Sequence, residues 1–386
     1  MPTPEDILPD SLLDTFRERA ASYDARNEFF HEDLVDLRDR GYLALMTPES
    51  DGGSGLGIEA VAACQRRLAT AAPATALAIN MHLVWTGVAL LLQRQGDHSL
   101  AYVLREAAQG ELYAFGLSEP GNDAVLFDSL TTATAQAGGG YVFAGTKIFT
   151  SLAPAWTRLG VFGKATAPDG TEELVHGFVT RGTAGIHTVE DWDTLGMRAS
   201  QSHTTRLDGV AVPAERIFRH LPVGPNADPL VFAVFGVFET LVSAVYTGIG
   251  DRSLDLAVAS AGERTTGRDA VPLSQTPEAR WQVADAAMAM DSLDAQLRSI
   301  ARDLDNRVHH GSRWFAKLVA LKLRATTVAR NVNDVALHLA GGRGYHATSE
   351  IGRLHRDVLA GQYHPSSSES AHRTVAAAWL GPLTED

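Results

Sequence analysis

Over residues 8–112 apolar side chains recur every three or four positions, as in Leu12 with Phe16 and Leu34 with Leu37, the rhythm of helices that bury one face. From residue 113 to about 222 that rhythm gives way to short β-branched and aromatic runs separated by turns. Beyond Pro229 it returns in longer stretches. The order helical, β, helical predicts an α+β chain that is mainly α, with an N-terminal helical domain over 1–112, a central β-domain over 113–225 and a C-terminal helical domain over 226–386. Strands are expected at 130–137 and 141–150, joined as a hairpin by Gly138-Gly139-Gly140, and at 159–165, 174–180 and 203–212. Late helices are expected at 252–263, 277–306, 313–340 and 367–378, and the glycine-rich segment from Thr47 to Gly57 reads as a crossing between helices.

Two stretches raise the question of a membrane: 71–93 carries no formal charge and 229–250 carries one. Pro73, Asn80, His82 and Thr86 in the first, and Ser243, Tyr246 and several glycines in the second, fit core helices better than lipid-facing spans. The net charge of −13 argues against a nucleic-acid partner, so an anionic cofactor would need its own arginine or backbone N–H site. A single cysteine, Cys64, rules out an internal disulfide and points to a reducing, cytoplasmic setting. The acidic, proline-bearing residues 1–16 do not read as a secretory signal.

Four short motifs punctuate this pattern. Tyr113-Ala-Phe-Gly-Leu-Ser-Glu-Pro-Gly-Asn-Asp123 is a strand followed by a hydroxyl and a tight turn, suited to the polar edge of a heterocycle. Lys147-Ile-Phe-Thr-Ser151 is expected to put Phe149 and Ser151 on one face of a strand, an aromatic beside a hydroxyl. Leu195-Gly-Met-Arg-Ala-Ser200 leads to Leu207-Asp-Gly-Val-Ala-Val-Pro213, and Leu339-Ala-Gly-Gly-Arg-Gly-Tyr345 precedes Leu354-His-Arg-Asp357. Any one of them is equally an ordinary turn or core packing.

In this order and at these separations, the four motifs resemble the acyl-CoA dehydrogenase family across essentially the whole chain. The resemblance implies that the C-terminal domain is a four-helix bundle and that the cofactor is FAD. It places the isoalloxazine against Phe115, Leu117, Ser118, Phe149 and Ser151, with Ser366 and Ser367 beside it. It also implies that a neighbouring subunit covers the adenine and pyrophosphate with Arg264, His338, Gly341 and Gly342, hence a homodimer or homotetramer. The partners it implies are an acyl thioester on coenzyme A or acyl carrier protein and an electron acceptor such as an electron-transfer flavoprotein. One position departs, because the family usually has an aromatic residue where this chain has Gly267.

Dehydrogenation beside a thioester removes an α-proton while hydride passes to the flavin, so it requires a base. Most relatives place a glutamate shortly after the Arg-Asp motif. Aligned from Arg356, this chain has Pro365 there, with neither a carboxylate nor a backbone N–H. Glu239, the only formal charge in 229–250, is one candidate base; some relatives carry theirs one residue earlier on this helix, where Phe238 stands. Burial would raise its pKa toward a useful range, and the competing reading is a structural ion pair or helix packing. His364, beside the expected position, is the other candidate, against a loop-packing role. Glu369 reads as an acid in the first turn of the last helix and His82 as a core histidine.

The activity expected is FAD-dependent α,β-dehydrogenation of an acyl thioester, with no metal site. The alternatives are a monooxygenase or oxidase on the same fold, toward which loss of the usual glutamate pushes, and a flavin-binding relative without turnover.

Overall fold

The computed structural model describes residues 2–124, 126–267 and 270–383. Six helices come first: α1 Pro4–Ile7, α2 Asp10–Arg26, α3 His31–Asp39, α4 Ile58–Ala69, α5 Pro73–Arg94 and α6 Ala101–Ala108. The strands β1 Tyr113–Gly116, β2 Thr132–Ala135, β3 Tyr141–Lys147, β4 Arg158–Thr166, β5 Glu172–Thr180, β6 Ile186–Val189, β7 Thr204–Val212 and β8 Ile217–Pro222 form one sheet. Its order is β6-β7-β3-β2-β4-β5-β8, and β1 pairs in parallel with β4. Helices then return as α7 Pro229–Glu263, α8 Pro277–Asp305, α9 Arg313–Ala340, α10 Glu350–Leu359 and α11 Ser368–Leu380, with the two-residue strands β9 Thr265–Thr266 and β10 Val271–Pro272 between α7 and α8. Helix α9 packs against α7, α8 and α11, and α7 also packs against α4 and α5.

The expected hairpin is β2 paired antiparallel with β3. Strand β3 stops at Lys147, however, so Phe149 and Ser151 do not share a strand face. Phe149 takes φ +55°, a left-handed turn that ends the pleat and corrects that expectation. The expected helix over 252–263 is the last third of a single 35-residue helix, α7. Asp228 caps its start by accepting from the Leu230 N–H (2.8 Å), and Pro229 occupies the first turn. Gly248 does not break it. A Cβ there would lie 2.1 Å from the Arg66 carbonyl oxygen, so this glycine lets α7 approach α4 closely. Strands β6 and β8 escape the sequence because both are short and largely unburied, without a run of alternating apolar residues.

Both long apolar stretches are covered by protein, as α5 and the first part of α7. Helix α5 meets the sheet through Trp85, whose indole N–H donates to the Ala114 carbonyl (3.0 Å) while its ring packs edge-on to Phe178. Gly160, opposite Phe115 in the β1–β4 pair, makes this seat possible. An added Cβ would stand 2.2 Å from the Trp85 ring. Gly160→Ala is therefore expected to cost about 1–3 kcal/mol by overpacking. Denaturant unfolding tests this, and a midpoint equal to that of the parent protein would contradict the packing argument.

Candidate functional site

Two irregular segments beyond the ends of β1 and β3 meet. The Ile148 N–H donates to the Ser118 carbonyl (2.9 Å), and below it the Lys147 ammonium donates to the Glu119 carboxylate (2.6 Å) with both side chains buried. Burial opposes charge on Glu119, but Lys147, Thr131 and the Leu130 N–H outweigh it and hold the carboxyl down at about 2. From this anchor the chain presents Phe149, half-exposed and edge-on to Trp192 with ring centroids 6.1 Å apart. The Thr150 hydroxyl is buried without a partner among the described residues. Ser151, also buried, shares a hydrogen bond with the Ser202 hydroxyl (2.7 Å). Ser118 is partly exposed, whereas Leu117 is buried in the core, so only its backbone is available to a ligand. A half-exposed ring beside a buried orphan hydroxyl fits one edge of a planar, polar-rimmed heterocycle such as a flavin.

A second group gathers on α7, α9 and the loop before α11. Glu239 is fully buried; Ser366 Oγ donates to its Oε1 (2.5 Å), while Oε2 has no partner. Among the described residues no cation lies within salt-bridge distance of Glu239, so the ion-pair reading does not hold, although the Lys322 charge still acts on it. Burial pushes its carboxyl up to about 8, against the pull of Ser366 and of the Lys322 charge. Lys322, buried on the inner face of α9, donates to the carbonyls of Gly361 (2.9 Å), Ser366 (3.1 Å) and His364 (3.4 Å), and so clamps the loop that contains Pro365. His364 is partly exposed yet ringed by protein, and its Nε2 bonds the Tyr246 hydroxyl (2.8 Å). Burial, and then the Lys322 charge, hold its ring down at about 3, so it is neutral at pH 7. Phe238, next to Glu239, stacks on Phe115 at 5.9 Å, which joins this group to the end of β1.

The remaining expected residues sit elsewhere. Ser367 caps α11 by accepting from the Ser370 N–H (3.3 Å), with Glu369 in the first turn as expected. His82 is fully buried between the Leu43 carbonyl (2.8 Å) and the Tyr113 N–H (3.1 Å), the core role expected of it. Arg264 donates to the His338 and Leu339 carbonyls (3.2 Å each) and lies against Gly341, with His338 and Gly342 exposed beside it. This cluster is 25 residues along α7 from Glu239, about 37 Å at helical rise. An open cleft of about 640 Å³ among the N-terminal helices, lined by Ile7, Asp36, Asp39 and Arg40, contains none of the residues above. Among the described residues no group of side chains is arranged to hold a metal ion.

Sequence reasoning missed Lys322, Tyr246, Ser200, Ser202 and Trp192. Lys322 had a signal: it falls at inner-face spacing with Leu318, Ala325 and Ala329 on α9. Ser200 closes the Leu195–Ser200 motif but was given no role there, and Tyr246 and Ser202 had no signal because His364 and Ser151 lie 118 and 51 residues away.

Comparison with known proteins gives the class of this fold. The profile described as acyl-CoA dehydrogenase, N-terminal domain, matches residues 11–111, and the C-terminal domain profile matches 240–369. The chain belongs to the acyl-CoA dehydrogenase family and is a flavin-dependent oxidoreductase. A Bacillus subtilis (strain 168) protein assigned as an acyl-CoA dehydrogenase, YdbM, is 27% identical over 95% of this chain and 94% of its own length. The L-evernosamine nitrososynthase of a Micromonospora species is 29% identical over 89% of this chain and 82% of its own. Among solved structures, KijD3 in complex with FMN and a dTDP-linked amino sugar superposes with a TM-score of 0.88 at 26% identity, covering 100% of this chain and 96% of that one.

Proposed function

We propose that this chain is a flavin-dependent monooxygenase rather than an acyl-thioester dehydrogenase, and that its flavin is FMN. The observation that carries the reading is the state of the would-be base. Pro365 occupies the usual carboxylate position, and the nearby carboxyl, Glu239, is buried and tied to Ser366, an environment that raises its pKa and favours the protonated acid. A protonated acid donates rather than removes a proton. The nitrososynthase likeness supports the same direction, since that name describes oxidation of an amine nitrogen.

When bound, reduced flavin would supply the two electrons with which dioxygen delivers one oxygen atom to substrate and releases the other as water. Phe115, Ser118, Phe149 and Ser151 would hold and orient the ring, and Phe238 against Phe115 would keep water from it. Glu239 would supply a proton at its unpartnered Oε2, and neutral His364, fixed by Tyr246, would accept a hydrogen bond from substrate only by turning from that partner. FMN is supported over FAD by the likeness to KijD3, whose solved structure contains FMN. The dehydrogenase reading retains two supports, the likeness to YdbM and a Glu239 carboxyl that, with its pKa raised, would be a competent base in mild alkali.

The test has two arms. Oxidised holoenzyme mixed without oxygen with a panel of acyl thioesters is expected to stay yellow. Supplied with reduced FMN and oxygen, it is expected to add one oxygen atom to an amine or thioether, read by mass spectrometry. Anaerobic bleaching by a thioester, with no oxygenated product in the second arm, would overturn the proposal.

A further inference from the structure

The buried hydroxyls behind Phe149 form a chain whose direction can be worked out. Ser200 Oγ lies 2.8 Å from Ser202 Oγ, which lies 2.7 Å from Ser151 Oγ, and in each pair either oxygen can be the donor. Three hydroxyls carry three protons, and two links use two of them. If the chain runs from Ser151 to Ser200, the third proton sits on Ser200, which is wholly buried and has no further acceptor for its hydroxyl among the described residues. If both outer serines donate to Ser202, the third proton sits on Ser202, which is also buried and has no further acceptor among the described residues. A buried donor left unpaired is costly, so both arrangements are disfavoured. If it runs from Ser200 through Ser202 to Ser151, the free proton ends on Ser151, itself buried and without another acceptor among the described residues, where a ligand bound beside half-exposed Phe149 can accept it.

The backbone around these residues is shaped to hold them there. Phe149 and Leu152, on either side of Ser151, take φ +55° and +67°, and Gln201, between Ser200 and Ser202, takes φ +42°. None is glycine, so each is a strained conformation of the kind that persists only where surrounding structure enforces it. The two strained segments are stitched together by the Thr150 N–H on the His203 carbonyl (3.2 Å) and the Leu152 N–H on the Ser200 carbonyl (3.3 Å).

We infer that Ser200, Ser202 and Ser151 form a directional hydroxyl relay that presents a polarised hydrogen-bond donor to the edge of the flavin. The inference rests on the reading that Ser151 meets the flavin. Ser202 and Ser200 are positioning residues that act only through Ser151: each accepted bond makes the next hydroxyl a stronger donor.

A double-mutant cycle on apo-protein titrated separately with FMN and FAD tests this, with flavin fluorescence giving affinity and the absorption spectrum and midpoint potential of the bound flavin as independent readouts. Ser151→Ala is expected to weaken binding of the preferred flavin about tenfold and Ser202→Ala about threefold, the scale of one hydrogen bond lost and one weakened. In the Ser151→Ala background, Ser202→Ala should have no further effect on affinity, spectrum or potential. If Ser151→Ala leaves all three unchanged in a folded protein, the placement of the flavin is wrong and the relay falls with it. If Ser151→Ala acts but Ser202→Ala does not, or if the two effects simply add, Ser151 meets the flavin without a relay and the inference is overturned.

Discussion

Glu239→Gln is expected to lower turnover about a hundredfold or more at neutral pH, the scale of a positioned proton donor, while flavin affinity is retained. Glutamine keeps the size of the side chain and an oxygen that can accept from Ser366 Oγ, so the loop clamped by Lys322 keeps its anchor. What disappears is the transferable proton. In the parent enzyme the carboxyl is protonated below about 8, so activity that depends on its proton falls as pH rises through that value; the variant lacks this limb. A base at Glu239 would give the opposite limb, with activity rising through the same pH, so the sign of the profile separates the two functional readings. Stability provides a second check. Because the folded pKa is raised above its ordinary 4.5, the unfolded chain ionises first, and the native state loses stability as pH rises from about 4.5 to about 8. Glutamine does not titrate, so this part of the decline in Tm should be absent from the variant. Turnover within about threefold of the parent at pH 7 would remove Glu239 from the chemistry.

The helices and most of the sheet were legible because burial imposes a period: 3.6 residues on α2, α4, α8 and α9, and two on β7, where Thr205, Leu207, Val210 and Val212 are the buried positions around a bulge. Helix α7 was read as two pieces because Gly248, Gly250 and the charged Asp251-Arg252 resemble a boundary in one dimension. In three dimensions the glycines are contact points with α4 and α8, and Asp251 is an ion-pair partner of Arg66. The site was legible only in part. Ser118, Phe149, Ser151 and Glu239 stand out because a hydroxyl, an aromatic or a lone acid interrupts a pattern, and Phe115 through the family resemblance alone. Lys322, Tyr246 and Ser202 do not, since each acquires its meaning from a partner 42, 118 or 51 residues away. The strained φ angles at Phe149, Gln201 and Ser366 left no trace at all, because none of these residues is of a type that announces a left-handed turn.

The largest effect on stability is expected at Glu119, which appears in the sequence as an ordinary acid in a turn. Its two oxygens accept six hydrogen bonds, from Ser129 Oγ, the Leu130 N–H, the Thr131 N–H and Oγ1, Asn122 Nδ2 and Lys147 Nζ. Lys147 also donates to the Phe162 carbonyl (2.8 Å) and sits 4.4 Å over the Phe162 ring. Glu119→Ala would leave a fully buried ammonium and two backbone N–H groups without their acceptor, a loss of about 3–5 kcal/mol. Burial already holds Lys147 down at about 8, so in the variant its ammonium should shed its proton near neutrality. Pairing Glu119→Gln with Lys147→Met removes both charges together and should recover part of the loss, a non-additivity that urea unfolding of the four proteins would measure. Acid supplies the same test without mutation. The carboxyl is held at about 2 against an ordinary 4.5, so its stabilisation is complete above about 4.5 and is lost as pH falls toward 2. Since Glu119 and Lys147 join the segment bearing Ser118 to the one bearing Phe149 and Ser151, flavin affinity should fall along with stability. A Glu119→Ala protein with an unchanged unfolding midpoint and unchanged flavin binding would show that this buried pair supports neither the sheet nor the site.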